Sequence, residues 1–423
     1  MRLWDRACCP VVGQTNREGA PLEQTSAPAG APLLGWFLAG TGSWALAAGL
    51  QQVVFTWLVV GVLRESPDRV GVAQMCQTLP LLLFLLFGGL LADRVELRRL
   101  LAVLHVAAAC AAVTLATLVW LDRARFELLL VYALGWGTIQ AFASPARDAM
   151  VSHLGLRDLM RAITGMTLVQ FVGTALGSRL GGLGAAIGNA AVLVFQGVVV
   201  LAGSLAVLRL PRVVPHPRAD SDLSRLSAIR EGLREVRHSK RLFPVALLVA
   251  GDGLFFMGPF GVLIPLLLRD TYGGGIGRLS SVMMALPLGT IAGSLVVLLR
   301  GGVRRKGLVF LIALLGVAGC LLAIAMRPSF VALIAAIFAW GIFHSLFFNT
   351  SRTLFQESAP PVLRARVLSI HSLAFMGMAP LSHLGAGLLA HALSPQVGCA
   401  VAAGAMILAT GWAFVATPVR RFE

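Results

Sequence analysis

Charge is what this chain of 423 residues has least of: Asp, Glu, Lys and Arg together make up 13% of it, against roughly 25% in soluble domains. With 57% hydrophobic residues and a mean hydropathy of +0.82, a soluble fold is excluded and the chain reads as an integral membrane protein. Lysine is almost missing, with Lys240 and Lys306 beside 33 arginines, a bias read as the genome composition of a GC-rich bacterium. Cysteine is scarce too. Cys76, Cys110, Cys320 and Cys399 fall in apolar runs and Cys8 and Cys9 in a polar tail, so neither a disulfide framework nor a metal set follows. The paired tail cysteines admit lipidation or plain disorder. Enzyme signatures are absent: there is no HExxH, no G-x-S-x-G elbow and no Gly-rich loop ending in Gly-Lys-Ser/Thr. The chain is therefore read as no enzyme, with no cofactor, and any transport must run on a gradient or passively.

What is abundant is long apolar runs. A helix needs roughly 20 apolar residues to cross the hydrocarbon core, and such runs lie near 33–61, 70–91, 100–121, 127–146, 162–184 and 187–208, then near 243–268, 278–299, 307–326, 329–350, 367–391 and 396–416. This predicts an all-α membrane protein of twelve spans arranged six and six. Residues 1–32 carry no signal peptide and read as a disordered cytoplasmic tail. The expected units are bundles at 33–208 and 243–416, a basic linker at 209–242 and a short cytoplasmic tail at 417–423. The linker opens with Pro211, Pro215 and Pro217 and is rich in arginine. It reads as an extended segment followed by an amphipathic surface helix near 222–241, suited to an anionic leaflet.

The net charge of +16 would point to nucleic acid in a soluble chain, but here it is explained by topology, and no nucleic-acid partner is expected. With a cytoplasmic N-terminus, 27 of the 35 basic residues fall on inside segments and 7 on outside loops, with Arg179 near the outer end of the fifth span. Both termini are accordingly placed in the cytoplasm of a bacterial inner membrane.

The halves repeat each other. Ser144-Pro145-Ala146-Arg147 is followed by Arg161, and Asn349-Thr350-Ser351-Arg352 by Arg366, at a constant offset of 205. The same offset lays Gly182 over Gly387, while Leu79-Pro80 recurs as Leu286-Pro287 at 207. A repeat of this kind marks a two-bundle transporter with its site between the halves.

Between the second and third spans runs Gly89-Leu90-Leu91-Ala92-Asp93-Arg94-Val95-Glu96-Leu97-Arg98-Arg99. Tight turns favour glycine at their entry, and arginines beside headgroups anchor the flanking helices. This loop resembles the Gly-x-x-x-Asp-Arg/Lys-x-Gly-x-Arg-Arg/Lys signature of the major facilitator superfamily. Gly89, Asp93, Arg94, Arg98 and Arg99 match it, and Glu96 replaces a glycine. The second copy, Arg300 to Lys306, keeps the charge without an aspartate. Trp57-Leu58-Val59, Ser144-Pro145-Ala146-Arg147 and Arg364-Ala365-Arg366-Val367-Leu368-Ser369 resemble the secretion and efflux branch that includes the enterobactin exporter. The resemblance implies two pseudo-symmetric six-helix bundles, a loop that gates by pairing Asp93 with Arg147 or with a helix N-terminus, and a cavity lined by spans 1, 4, 7 and 10.

On those spans lie Gln51, Gln52, Gln140, Asp252, His344 and Asn349, the candidates for substrate or proton binding. His105, Gln170, Gln196, His371 and His383 fall on other spans. Asp252 is the only carboxylate well inside a span. At 1.5 Å rise it lies roughly 13 Å from the cytoplasmic end and His344 roughly 9 Å, so the two can face each other and exchange a proton. Equally, Asp252 between Gly251 and Gly253 can serve a helix break. Gly165, Gly173, Gly177 and Gly181 form a stripe that lets helices approach closely. The antiporter motif Gly-Pro-x-x-Gly-Gly is incomplete in Gly173-Thr174-Ala175-Leu176-Gly177-Ser178, and the first span lacks acidic residues. The functional expectation is a monomeric secondary transporter exporting amphipathic small molecules, such as siderophores, drugs or secondary metabolites, coupled to protons by alternating access. Uptake, a lipid-like cargo or a non-transporting sensor are the alternatives.

Overall fold

In hydrocarbon the backbone must satisfy its own N–H and C=O groups, so apolar runs of this length have to be helices. In the computed structural model, which describes residues 30–92, 94–154, 159–213, 222–360 and 363–422, all regular structure among the described residues is helical. The first bundle is built from α1 (Gly30–Trp57, continued by the π-helical turn Leu58–Val62), α2 (Pro67–Ala92), α3 (Leu97–Trp120), α4 (Phe126–His153), α5 (Leu159–Gly181), the short α6 (Gly184–Ile187) and α7 (Asn189–Leu208). Helix α8 (Asp222–His238) lies in the linker. The second bundle comprises α9 (Leu242–Gly258), continued through the π-helical turn Pro259–Leu263 into α10 (Ile264–Thr271), then α11 (Ile276–Leu299), α12 (Lys306–Ala325), α13 (Phe330–Ser358), α14 (Arg364–Met376), α15 (Ala379–Ala392) and α16 (Pro395–Ala416). Ten of the resulting segments are long and apolar enough to span a membrane. Helices α2 and α5, of 26 and 23 residues, bring the long helical segments to twelve, six in each bundle.

Several bounds differ from those the apolar runs suggest. The tenth span does not stop near 350: α13 continues to Ser358, carrying polar residues beyond the apolar run because a helix needs no apolar side chains once it leaves the hydrocarbon. The eleventh is broken at Gly377 and Met378, ahead of Pro380, into α14 and α15. Helix α9 runs unbroken through Gly251 and Gly253, and its irregular turn comes at Pro259 instead.

The internal repeat is visible in the backbone. Asp122 and Arg327 follow α3 and α12, are 205 residues apart, and both take left-handed φ, 51° and 54°. The hydrogen bonds that end the two helices also match: Leu121 N to Thr117 O and Asp122 N to Val119 O, against Met326 N to Leu322 O and Arg327 N to Ile324 O.

Within the first bundle α1 packs on α5 and α7, α2 on α4, and α3 on α7; within the second α11 packs on α13, α12 on α13 and α16, and α9 on α15. The α1–α5 crossing shows what the glycine stripe does. A Cβ at Gly177 would overlap the carbonyl oxygen of Leu46, and one at Gly173 would lie 2.8 Å from the Ala45 Cβ. Only hydrogen fits there. Gly177→Leu is expected to destabilise the bundle by at least about 1–3 kcal/mol, as overpacking does, seen as a lower melting midpoint in detergent.

The bundles touch through α2 against α15 and α5 against α11. At the end of the molecule opposite the linker, called here the far end, Arg269 Nη1 donates to the Glu65 carbonyl at 2.8 Å and His391 Nδ1 lies 3.1 Å from Asp68 Oδ1. Gly71 and Gly387 meet just below, where a Cβ on Gly71 would fall 2.9 Å from the Gly387 Cα and 2.8 Å from the His383 carbonyl oxygen. The far end is closed. At the linker end, Leu97 N donates to Val213 O at 2.9 Å, and α8 is held against α14 by an ion pair between Glu231 and Arg366.

Candidate functional site

Inside the closed far end, between the bundles, lies a cavity of about 240 Å³. From the first bundle it is lined by Ala48, Gln51, Gln52 and Thr56 on α1, Gln74, Gln77 and Thr78 on α2, and Trp136 and Gln140 on α4. From the second come Met257, Phe260, Gly261, Met283 and, on α15, His383. Drug-sized sites run to roughly 300–1,000 Å³, so in this closed form the cavity takes part of such a molecule.

The polar groups are fixed by a network. The buried Tyr132 hydroxyl needs an acceptor and donates to Gln51 Oε1 at 2.5 Å, and Gln196 Nε2 donates to the same oxygen at 3.2 Å. Gln51 Oε1 is thereby used up, and its Nε2 has no partner. Trp44 Nε1 donates to Gln140 Oε1 at 2.8 Å, and Gln74 Nε2 to Thr56 Oγ1 at 2.9 Å. Gln77 Nε2 is buried and unpaired. Across the bundle boundary Thr78 Oγ1 is 3.4 Å from His383 Nδ1. That imidazole packs on the bare backbone of Gly261 in the π-helical turn, where a Cβ would lie 2.7 Å from its Nε2.

Asp252 and His344 sit beside this cavity rather than on its wall. They come from α9 and α13, with His344 Nδ1 3.8 Å from Asp252 Oδ2, beyond hydrogen-bonding distance. Neither oxygen of Asp252, 1% exposed, has a hydrogen-bond partner. The His344 ring stacks on Phe256 at 4.0 Å, with Phe375 at 5.6 Å, and Trp340 Nε1 nearby on α13 is also unpaired. Counted from Leu242, Asp252 is roughly 15 Å along its helix. Because α13 runs on to Ser358, His344 is roughly 21 Å from that end, deeper than the apolar run implied. Asn349 is exposed, reaches Ser345 Oγ at 3.4 Å and does not line the cavity.

Of the signature-loop residues, Asp93 lies outside the described residues, so its pairing with Arg147 is not described. Gly89 is in the last turns of α2, and Arg94 N donates to Leu91 O at 3.0 Å. The departure at Glu96 has a local reason. Its carboxylate takes Arg98 Nε at 3.2 Å and Arg99 Nε at 2.9 Å, tying the start of α3 together. Arg98 Nη1 also reaches Leu210 O at 3.4 Å. Arg147 is buried on α4, its guanidinium 5.1 Å over the Trp44 ring, its Nε without a hydrogen-bond partner. Trp44 in turn stacks on Trp136 of the cavity wall, with ring centroids 6.3 Å apart.

The structure thus brings Gln51, Gln52 and Gln140 to the cavity, sets Asp252 and His344 facing each other 3.8 Å apart off its wall, and leaves Asn349 outside. Reasoning on spans 1, 4, 7 and 10 alone missed Gln74, Gln77, Thr78 and His383. A signal existed: Gln74, Gln77 and Thr78 are spaced i, i+3, i+4 and share one helix face.

A two-bundle helical membrane protein with a polar cavity between its halves is a transporter of the major facilitator fold. The chain belongs to the transmembrane secretion effector family, whose profile matches residues 34–423. It is 29% identical over 370 residues to the multidrug efflux pump Tap of Mycolicibacterium fortuitum, covering 81% of this chain and 86% of that one. It is 23% identical over 361 residues to the staphyloferrin A transporter of Staphylococcus aureus, covering 82% and 86%. Among solved structures the nucleoside transporter NupG superposes with a TM-score of 0.70 at 14% identity over 93% of this chain and 99% of its own. A bacterial homologue of the lysosomal transporter Spinster, inward-facing and unoccupied, gives 0.67 at 15% identity over 93% and 97%. These two likenesses speak for the fold alone.

Proposed function

We propose that this transporter exports amphipathic small molecules by alternating access, driven by protons bound at Asp252 and His344, as a monomer in a bacterial inner membrane. The observation that carries the reading is a carboxylate–imidazole pair buried beside a cavity that is shut at one end only by contacts between the bundles. Such contacts can part without unfolding either bundle. With the linker in the cytoplasm, the closed far end faces outward. The multidrug efflux pump among its relatives supports the direction of transport, and the staphyloferrin A transporter supports a small-molecule cargo.

In everted membrane vesicles, acidifying the lumen should drive cargo inward, and a protonophore should collapse the accumulated pool. Loss of cargo from preloaded vesicles under the same gradient would instead mean uptake. The orientation has its own check. Cysteine introduced at Arg230 should react with an impermeant thiol reagent only from the cytoplasmic side, and at Arg123 only from outside; the reverse pattern would overturn the charge argument.

A further inference from the structure

The chemistry of the cavity wall narrows the cargo, an inference that rests on the export reading. The two bundles contribute opposite characters. The first offers carboxamides and hydroxyls, while the second offers the side chains of Met257, Phe260 and Met283. Among the described residues lining the cavity none carries a fixed charge, and His383 is the one titratable group.

The network also sets the polarity of what remains. Gln51 has spent its oxygen on Tyr132 and Gln196, and Gln140 has accepted from Trp44. Their amide nitrogens, with the unpaired Nε2 of Gln77, are left to donate. Donors without a compensating cation suit carbonyl, ether or lactone oxygens. A cargo carboxylate would leave water with no positive partner on the cavity wall, and a cargo ammonium would find no anion there, each at a desolvation cost. We infer that the central cavity binds uncharged cargo rich in hydrogen-bond acceptors, with its acceptor edge on Gln51, Gln77 and Gln140 and its apolar face on Met257, Phe260 and Met283.

The test uses full-length protein in nanodiscs and three probes: chloramphenicol as the neutral acceptor-bearing compound, ethidium as the cation and nalidixate as the anion. Quenching of intrinsic tryptophan fluorescence or equilibrium dialysis gives Kd for each. Chloramphenicol should bind at least about tenfold more tightly than either charged probe. Gln51→Leu and Gln77→Leu should each weaken it about fivefold, the effect of one lost hydrogen bond. Gln51→Glu should shift preference towards ethidium, which guards against a variant that merely loosens the fold. Equal or tighter binding of a charged probe by the wild-type protein, no binding of chloramphenicol, or no response to either leucine variant overturns the inference. Gradient-driven transport of ethidium or nalidixate in everted vesicles would sink the cargo assignment while leaving export intact. Movement of all probes out of the vesicles would sink export itself.

Discussion

Asp252→Asn is expected to abolish uphill efflux. In proteoliposomes carrying an imposed pH gradient, accumulation should fall to the level of protein-free liposomes, while downhill exchange of cargo continues. A carboxylate at the centre of a membrane helix costs roughly 2.5–3.5 kcal/mol unless paired or wetted, and Asp252 has neither oxygen hydrogen-bonded and only the His344 imidazole close by. We propose that Asp252 carries the proton, since the polar groups on the cavity wall, His383 apart, keep one charge state throughout the cycle. Asparagine reproduces the size and neutrality of the protonated acid but cannot release a proton, so the carrier can still rock between its two states without being driven. His344→Gln should impair uphill transport less, since the ring also packs on Phe256 and Phe375. Undiminished uphill efflux by Asp252→Asn would move the coupling site to His383, or leave a uniporter.

Much of the architecture could be read from composition because membrane burial leaves the chain so few options. Apolar length gives the span, and the offset of 205 gives the pseudo-symmetry that reappears in the turns at Asp122 and Arg327. The cavity was less legible. Gln51, Gln52 and Gln140 could be named from the spans they occupy, but Gln74, Gln77 and His383 line it only because α2 and α15 cross closely at Gly71 and Gly387. Such a crossing joins residues more than 300 positions apart, and no local pattern announces it. The ends of helices were also hidden. Residues beyond the hydrocarbon edge, as in α13 past 350, are polar yet still helical, so hydropathy cannot mark where the helix stops.

The crossing of α2 and α15 at Gly71 and Gly387 holds the far end shut. Gly71→Leu should leave the protein folded and abolish transport, with cysteine introduced at Met283 becoming reactive to an impermeant thiol reagent added from the far side. A side chain at 71 enters the space between α2 and α15 from the moment Cβ is added, at 2.8 Å from the His383 carbonyl and 2.9 Å from the Gly387 Cα. Both obstacles are backbone, so neither can rotate away. The clash exists only between bundles, because within its own bundle α2 packs on α4 through a different face, Gln77 and Pro80 lying against Gly137. The penalty therefore falls on the closed far end and not on the fold, and the equilibrium moves towards the form in which that end is apart. To shift a two-state balance from mostly one form to mostly the other takes roughly 5.5 kcal/mol; overpacking one methyl-sized group typically costs about 1–3 kcal/mol, and leucine adds three further carbons to it. Gly71→Ala should accordingly give partial loss of transport and Gly71→Leu complete loss. If Gly71→Leu transported normally, or if it lowered the melting midpoint as severely as Gly177→Leu, the α2–α15 contact would be a permanent structural seam instead of a gate.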